Sequence, residues 1–402
     1  MANNNKHTGP NVPALRFPEF SGEWESNQIK EIASIVGGGT PDTNAKEYWA
    51  GDINWYTPSE IGKTKYVNGS IRHISQLGVD NSSAKILPKG TILLSTRATI
   101  GEKSITETEC CTNQGFQSVI PNVQTDTNFC YYALDGVKSE MIRRASGSTF
   151  LEISSSQLGS IHFHLPDIRE QRKIGLFLSL LDERIETQSK IIEELTTLRS
   201  ALHHQIMRNG LADGSWEQKM LAEVLFERTE FNIEGHAVHS VSVSKGIVNQ
   251  IEYLGRSFAA KDTSKYHIAY PGDVVYTKSP TGEFPYGIVK QSQLTIKAAL
   301  SPLYGVYAPM STEIGYIIHN HFLSAKNALN YLHPLIQKGA KNTINITNQR
   351  FLQNTIPLPL NQNAADLYSR TIRTVSDKIA VEESILDKLQ HQKTHFLQVM
   401  FI

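Results

Sequence analysis

Two short loops carry hydroxyl and cationic side chains in the same order. Ser95-Thr96-Arg97-Ala98-Thr99 follows one β-branched, strand-like run, and Thr277-Lys278-Ser279 follows another. Arg and Lys donate to guanine edges and to phosphate oxygens, while Ser and Thr both donate and accept, so these loops have the chemistry of nucleic-acid contact. Groups of the same kind are Lys63 and Lys65 beside Tyr66, Arg72 beside His73, and Arg143-Arg144 ahead of Gly147-Ser148-Thr149. In the second half, Lys338, Lys341 and Asn342 stand where Arg143, Arg144 and that turn stand in the first. The ordinary role of a single loop cation is solvated surface charge. It is the repeated placement that makes these residues candidates.

Bond-making chemistry finds no comparable residues. Methyl transfer to an adenine amine needs an Asn/Asp-Pro-Pro-aromatic element and a Gly-rich cofactor loop, and the sequence has neither. Gly37 to Asp42 lacks the Lys-Ser/Thr of a phosphate loop and reads as a tight turn. Asp167 and Glu170 lie at a helix start, where acids cap the helix and favour its dipole rather than cluster for a metal. His162 and His164 are two apart on a strand-like run, with no His-Glu-x-x-His. Cys110, Cys111 and Cys130 lack metal-ligand spacing and are expected as buried free thiols. Asn113-Gln114-Gly115 has two readings, an adenine contact or a turn buttress. Neither a catalytic residue nor a metal ligand is therefore expected on this chain.

The 39 basic and 39 acidic residues cancel, which argues against a lone non-specific nucleic-acid binder. Residues 1–165 hold 14 Lys/Arg against 16 Asp/Glu, and residues 215–360 hold 13 against 10. Any DNA contact must come from charges sorted onto faces, or be shared with a partner. A chain of 402 residues has room for two domains. No apolar run approaches the roughly 20 residues that span a bilayer, and residues 1–11 lack the apolar stretch of a secretion signal. A cytoplasmic location is expected.

The loops need a scaffold, and the sequence spells it twice. SGEW (21–24) opens the first half and DGSW (213–216) the second; LPKGTILLSTRATIGE (87–102) is echoed by AYPGDVVYTKSPTGEF (269–284). GSTFLEISSSQLGSIHFHLP (147–166) and KNTINITNQRFLQNTIPLPL (341–360) each run into a long heptad-patterned segment. From Ile174, ten positions in alternating steps of four and three end at Ile206, and eight of them are aliphatic. From Ile372 to Met400 the pattern recurs at an offset of 194 from Leu178. Such a seam predicts two pairing helices. Its polar interruptions, Gln188 and Arg199, fall at the heptad places of Glu382 and Lys393. An antiparallel pairing would set Arg199 against Glu382 and Gln188 against Lys393; the other reading is that these stems snorkel outward.

The strings NVPALRFPEFSGEWE and GSTFLEISSSQLGSIHFHLPDIREQRKIGLFLSLLDERIETQ, with the repeated strand-to-helix junction, resemble the specificity subunit of type I restriction-modification systems over essentially the whole chain. The second copy departs from the pattern at Lys341-Asn342-Thr343 and at NQNAADLYSRTI. With the repeat, the resemblance implies a mixed α/β (α+β) protein with two target recognition domains, at 1–165 and 213–360. Helical spacers at 166–212 and 361–402 would form an antiparallel coiled coil with pseudo-two-fold symmetry. Each domain would read one half of a bipartite, asymmetric site on double-stranded DNA, and the helices would set the spacing and dock two modification (methyltransferase) subunits. S-adenosylmethionine would then sit on those partners, and ATP and Mg on the restriction/translocase subunits, leaving this chain without cofactor, catalysis or membrane. Two alternatives stand beside it: the recognition subunit of another methylation-based defence system, type IIB-like or phage-exclusion, and a coiled-coil scaffold that does not bind DNA.

Overall fold

A computed structural model describes residues 11–147, 151–256, 259–338 and 344–402. The fold is mixed α and β, with two long helices, the central helix Ile168–Asp213 and the distal helix Gln362–Val399. Contacts divide the chain into two compact units, Met1–Ser189 with Ser384–Ile402, and Lys190–Glu383. Both boundaries cut through a long helix. Each unit therefore owns half of each helix together with one globular part.

The repeated strings become paired strands. In the first unit Glu25–Gln28, directly after Trp24, pairs antiparallel with His162–Leu165, the strand that leads into the central helix. In the second, Trp216–Met220 pairs antiparallel with Thr355–Pro359, which leads into the distal helix. The residues before those strands form a cap. Ile153 and Ile346 are buried plugs, and the hydroxyls of Ser154 and Thr347 accept from the backbone N–H of Gln157 and Arg350 at the start of a short helix. A buried aliphatic followed by a hydroxyl N-cap explains why Ile-Ser and Ile-Thr recur at matching places.

Each unit is built on a mainly antiparallel sheet. In the first, the strand order is Ala33–Gly37, Gln117–Pro121, Ile92–Leu94, Lys103–Thr106, Tyr66–Val67, the last pairing being parallel. A three-stranded sheet of Arg72–Ile74, Ile53–Tyr56 and Cys110–Thr112 is added to it. In the second, the order is Leu225–Glu227, Gly305–Pro309, Val274–Thr277, Ile288–Gln291. The core of the second unit centres on Phe351, fully buried, with the Tyr276 ring stacked 4.5 Å away and Tyr307 at 5.3 Å. The three cysteines are buried free thiols, and burial pushes Cys110 up to about 11.

Within the first unit the helices run antiparallel: Phe177 meets Phe396 at 5.0 Å and Asp182 meets Lys393 at 2.6 Å. This corrects the expected layer of Gln188 against Lys393. The ammonium bonds a carboxylate that Tyr132 also reaches at 2.6 Å, a charge-assisted contact a neutral amide cannot match. In the second unit, His203 Nδ1 and the Tyr368 hydroxyl are 2.6 Å apart. Arg199, one turn before His203, acts on Tyr368, while the Glu382 carboxylate pairs with Lys378 on its own helix. Arg199 and Glu382 do not share a layer.

Gly210 is required for close approach. A Cβ there would lie 2.1 Å from Trp216 Cδ1, and Trp216 is itself buried. Gly210→Ala is expected to cost about 1–3 kcal/mol through overpacking. Denaturant unfolding reads this directly, and an unmoved midpoint would mean that the indole can step aside.

Candidate nucleic-acid interface

The strand Ile92–Leu94 ends in a closed loop. Ser95 Oγ and Thr99 Oγ1 lie 3.0 Å apart, and Gly101 N–H donates to Ser95 O at 2.9 Å. Ala98 sits at φ 63°, the one positive φ outside glycine among the described residues. Such a conformation costs an L-residue of order 1 kcal/mol and persists only where its surroundings impose it. Beside the loop, Ser146 and Glu152 exchange both backbone bonds at 3.0 Å, and Ile153 N–H donates to Thr96 O. Arg97 also forms a backbone bridge to Glu152, and its side chain stands 3.9 Å from that carboxylate. Two separate candidate segments of the sequence thus become one surface.

The second unit has a counterpart of each of these two segments. Val274–Thr277 leads into a loop held by paired backbone bonds between Thr281 and Phe284, and Gly287 (φ 99°) packs directly on Thr277 O. Gln337–Lys338 pairs with Ile344–Asn345, so the rung of Lys338 with Ile344 lies 192 residues after that of Ser146 with Glu152. Lys278 stands by Glu227, and burial lowers its pKa against that carboxylate's pull.

Several expected contacts take other roles. Thr96 and Thr277 are buried at strand ends, where the pleat turns them inward, and Thr96 Oγ1 bonds Gly115 O. Lys65 also points in. Its ammonium bonds the Tyr132 hydroxyl at 3.0 Å and Ser179 on the central helix, and burial lowers it to about 8 against the upward pull of Asp182. Arg144 is committed to Glu140 and to Ser160 Oγ, bracing the base of the hairpin. Ser148, Lys341, Asn342 and the side chain of Lys338 lie outside the described residues.

Lys63 and Ser279 are exposed, and Arg143 is 77% exposed with Glu140 3.5 Å away. Arg72 is exposed and lies over Trp49, 3.5 Å from the ring centroid. An indole face fixes the guanidinium plane and leaves its N–H edges to face a ligand. Trp49 was not visible as a partner in sequence, because it lies 23 positions before Arg72. Gly115 N–H donates to Asn113 Oδ1 at 2.8 Å, the turn-buttress arrangement. Asp167 accepts from Arg169 N–H at the helix start, but Glu170 is taken by Arg16 in a bidentate pair at 2.7 Å. Among the described residues no group of His, Cys, Asp or Glu could hold a metal ion, and no helix is long and apolar enough to cross a membrane.

Residues 21–197 match the family model described as type I restriction modification DNA specificity domain. The chain is similar to the type I restriction enzyme MjaIX specificity subunit of Methanocaldococcus jannaschii, 38% identical over 180 residues, 43% of this chain and 42% of that one. It is also similar to the EcoR124I/EcoR124II specificity subunit of Escherichia coli, 31% identical over 175 residues, 42% of this chain and 43% of that one. The chain thus matches less than half the length of these curated relatives. In fold it is similar to the type I restriction-modification system S subunit from M. genitalium, with TM-score 0.61 and 15% identity over 97% of this chain and 99% of that one. Residues 21–197 of this chain therefore match the type I restriction modification DNA specificity domain and, over nearly its whole length, the chain shares the fold of a type I S subunit.

Proposed function

We propose that this chain is the sequence-reading subunit of a type I restriction-modification complex, each unit contacting one half of a bipartite site on double-stranded DNA. The observation that carries the reading is the pairing of a basic strand-end loop with a short antiparallel rung, Arg97 beside Ser146 and Glu152, together with the recurrence of both segments in the second unit, Lys278 after its strand and Lys338 paired with Ile344. Different side chains on one repeated frame suit two different half-sites. Arg143 and Lys63 serve as phosphate contacts, and Arg72 and Arg97 as the planar donors that pair with guanine.

In this reading the chain is not catalytic. Two modification subunits dock on it and carry S-adenosylmethionine, and restriction/translocase subunits carry ATP and Mg. The near-zero net charge fits a chain that shares phosphate contacts with partners rather than holding DNA alone. Exchanging residues 215–360 for the same segment of another specificity subunit, in a host with matching modification subunits, tests it. Sequencing of methylated adenines is expected to show one half of the motif changed and the other kept. A motif altered in both halves, or in neither, would end the modular reading.

A further inference from the structure

The second unit has a cavity of about 160 Å³ against the central helix, and its lining includes an arginine and no carboxylate. Arg199, Ser200, His203 and His204 come from the helix, and Asn320 and Ser324 from the globular part. Among the described residues Arg199 has no ion-pair partner. Lys290 is 5% exposed, and burial, with Arg199 in the same sense, lowers its pKa; burial and then Lys290, Arg199 and Arg373 lower that of His319. Of these three cations, Arg199 is the one that lines the cavity.

His203 is 3% exposed, and its Nε2 is buried without a hydrogen-bond partner. The Tyr368 hydroxyl, 1% exposed, has His203 Nδ1 as its hydrogen-bond partner among the described residues. If that hydroxyl donates to Nδ1, the ring proton resides on Nε2.

We propose that this cavity binds a small tetrahedral oxyanion of the phosphate class. Arg199 supplies the charge, and Ser200 and Ser324 supply hydroxyl donors. The ligand would tie the central helix to the globular part of its own unit. Inorganic phosphate is the simplest member of that class.

Calorimetric titration of the full chain with inorganic phosphate, against chloride at matched ionic strength, tests the proposal. Saturable binding is expected, weakened at least about tenfold by Arg199→Gln, which removes one charge-assisted donor. Ser200→Leu, which fills the cavity and keeps every charge, should abolish binding. Lys245→Gln, an exposed change elsewhere in the unit, should leave it intact. Equal binding by wild type, Arg199→Gln and Ser200→Leu, or no binding above chloride, overturns the proposal. A 5′-mononucleotide that binds more tightly than phosphate, with both lost in Arg199→Gln, would keep the oxyanion site and assign its phosphate to a nucleotide.

Discussion

Acidification from pH 7 to pH 5 is expected to loosen the second unit by about 4–6 kcal/mol. Burial holds His203 down at about 3, His319 at about 3 and His321 at about 4, against an ordinary value of 6.5. Neighbouring basic groups add to burial in each case: Lys290, Arg199 and Arg373 beside His319, His321 and His204 beside His203, and His204 beside His321. All three rings are neutral in the fold. Below pH 6.5 the unfolded chain takes up protons that the folded chain refuses, so stability falls with pH until the folded values near 3–4 are reached. Each histidine contributes about 1.4 kcal/mol per pH unit in that window, or about 2 kcal/mol at pH 5. His203 is the most secure of the three, being almost wholly enclosed, whereas His319 and His321 keep partial solvent access that trims their share. Hydrogen exchange across residues 312–332 and 362–383 at the two pH values reads the effect. His203→Gln, which retains a partner for Tyr368, should remove about one proton from the slope. Equal protection at pH 7 and pH 5 would show that these rings are not excluded from protonation.

Glu170→Gln is expected to destabilise the first unit by about 3–5 kcal/mol. Arg16 Nε and Nη2 each donate to a Glu170 oxygen at 2.7 Å, and the two side chains are 3% and 1% exposed. The amide keeps the shape but leaves a guanidinium enclosed without its counter-charge. The pair fastens the N-terminal arm, where Leu15 N–H also donates to Val399 O at 2.8 Å, to the first turn of the central helix. Replacing both partners by apolar residues, Arg16→Met with Glu170→Leu, should recover most of the loss, since a buried pair is worth little over a packed apolar contact. Urea unfolding of the single and double variants measures both terms. If the single change were neutral, the pair would have to be better hydrated than its enclosure indicates.

Glu170 also shows where sequence reading stops. An acid in the first turn of a helix is locally favoured, so capping explained it without a partner. Arg16 is 154 positions away and carries no periodic or spacing signal that points to Glu170. Lys65 and Thr96 are further cases. Both belong to polar strand-end or loop stretches, which reads as exposure, yet Lys65 enters a pocket formed by Tyr132 and Ser179, and Thr96 closes onto Gly115. What local polarity could not convey was which neighbours would be present to satisfy those groups.

The helix seam shows the same limit in another form. Aliphatic periodicity depends only on the 3.6-residue turn, so the two long helices were legible. Polar positions such as Lys393 choose among several partners within side-chain reach, and Asp182 won by charge. Local chemistry had already determined the repeat, the Ile-hydroxyl cap before each closing strand, the buried thiols and the long helices, because each rests on propensity or burial within one segment. Only the tertiary structure decided that the Arg97 loop and the Ser146–Glu152 rung share a surface, that Arg199 lines a cavity beside His203, and which candidate cations still face solvent. Those outcomes depend on burial and on the charge of distant neighbours, quantities that exist only once the chain has closed on itself.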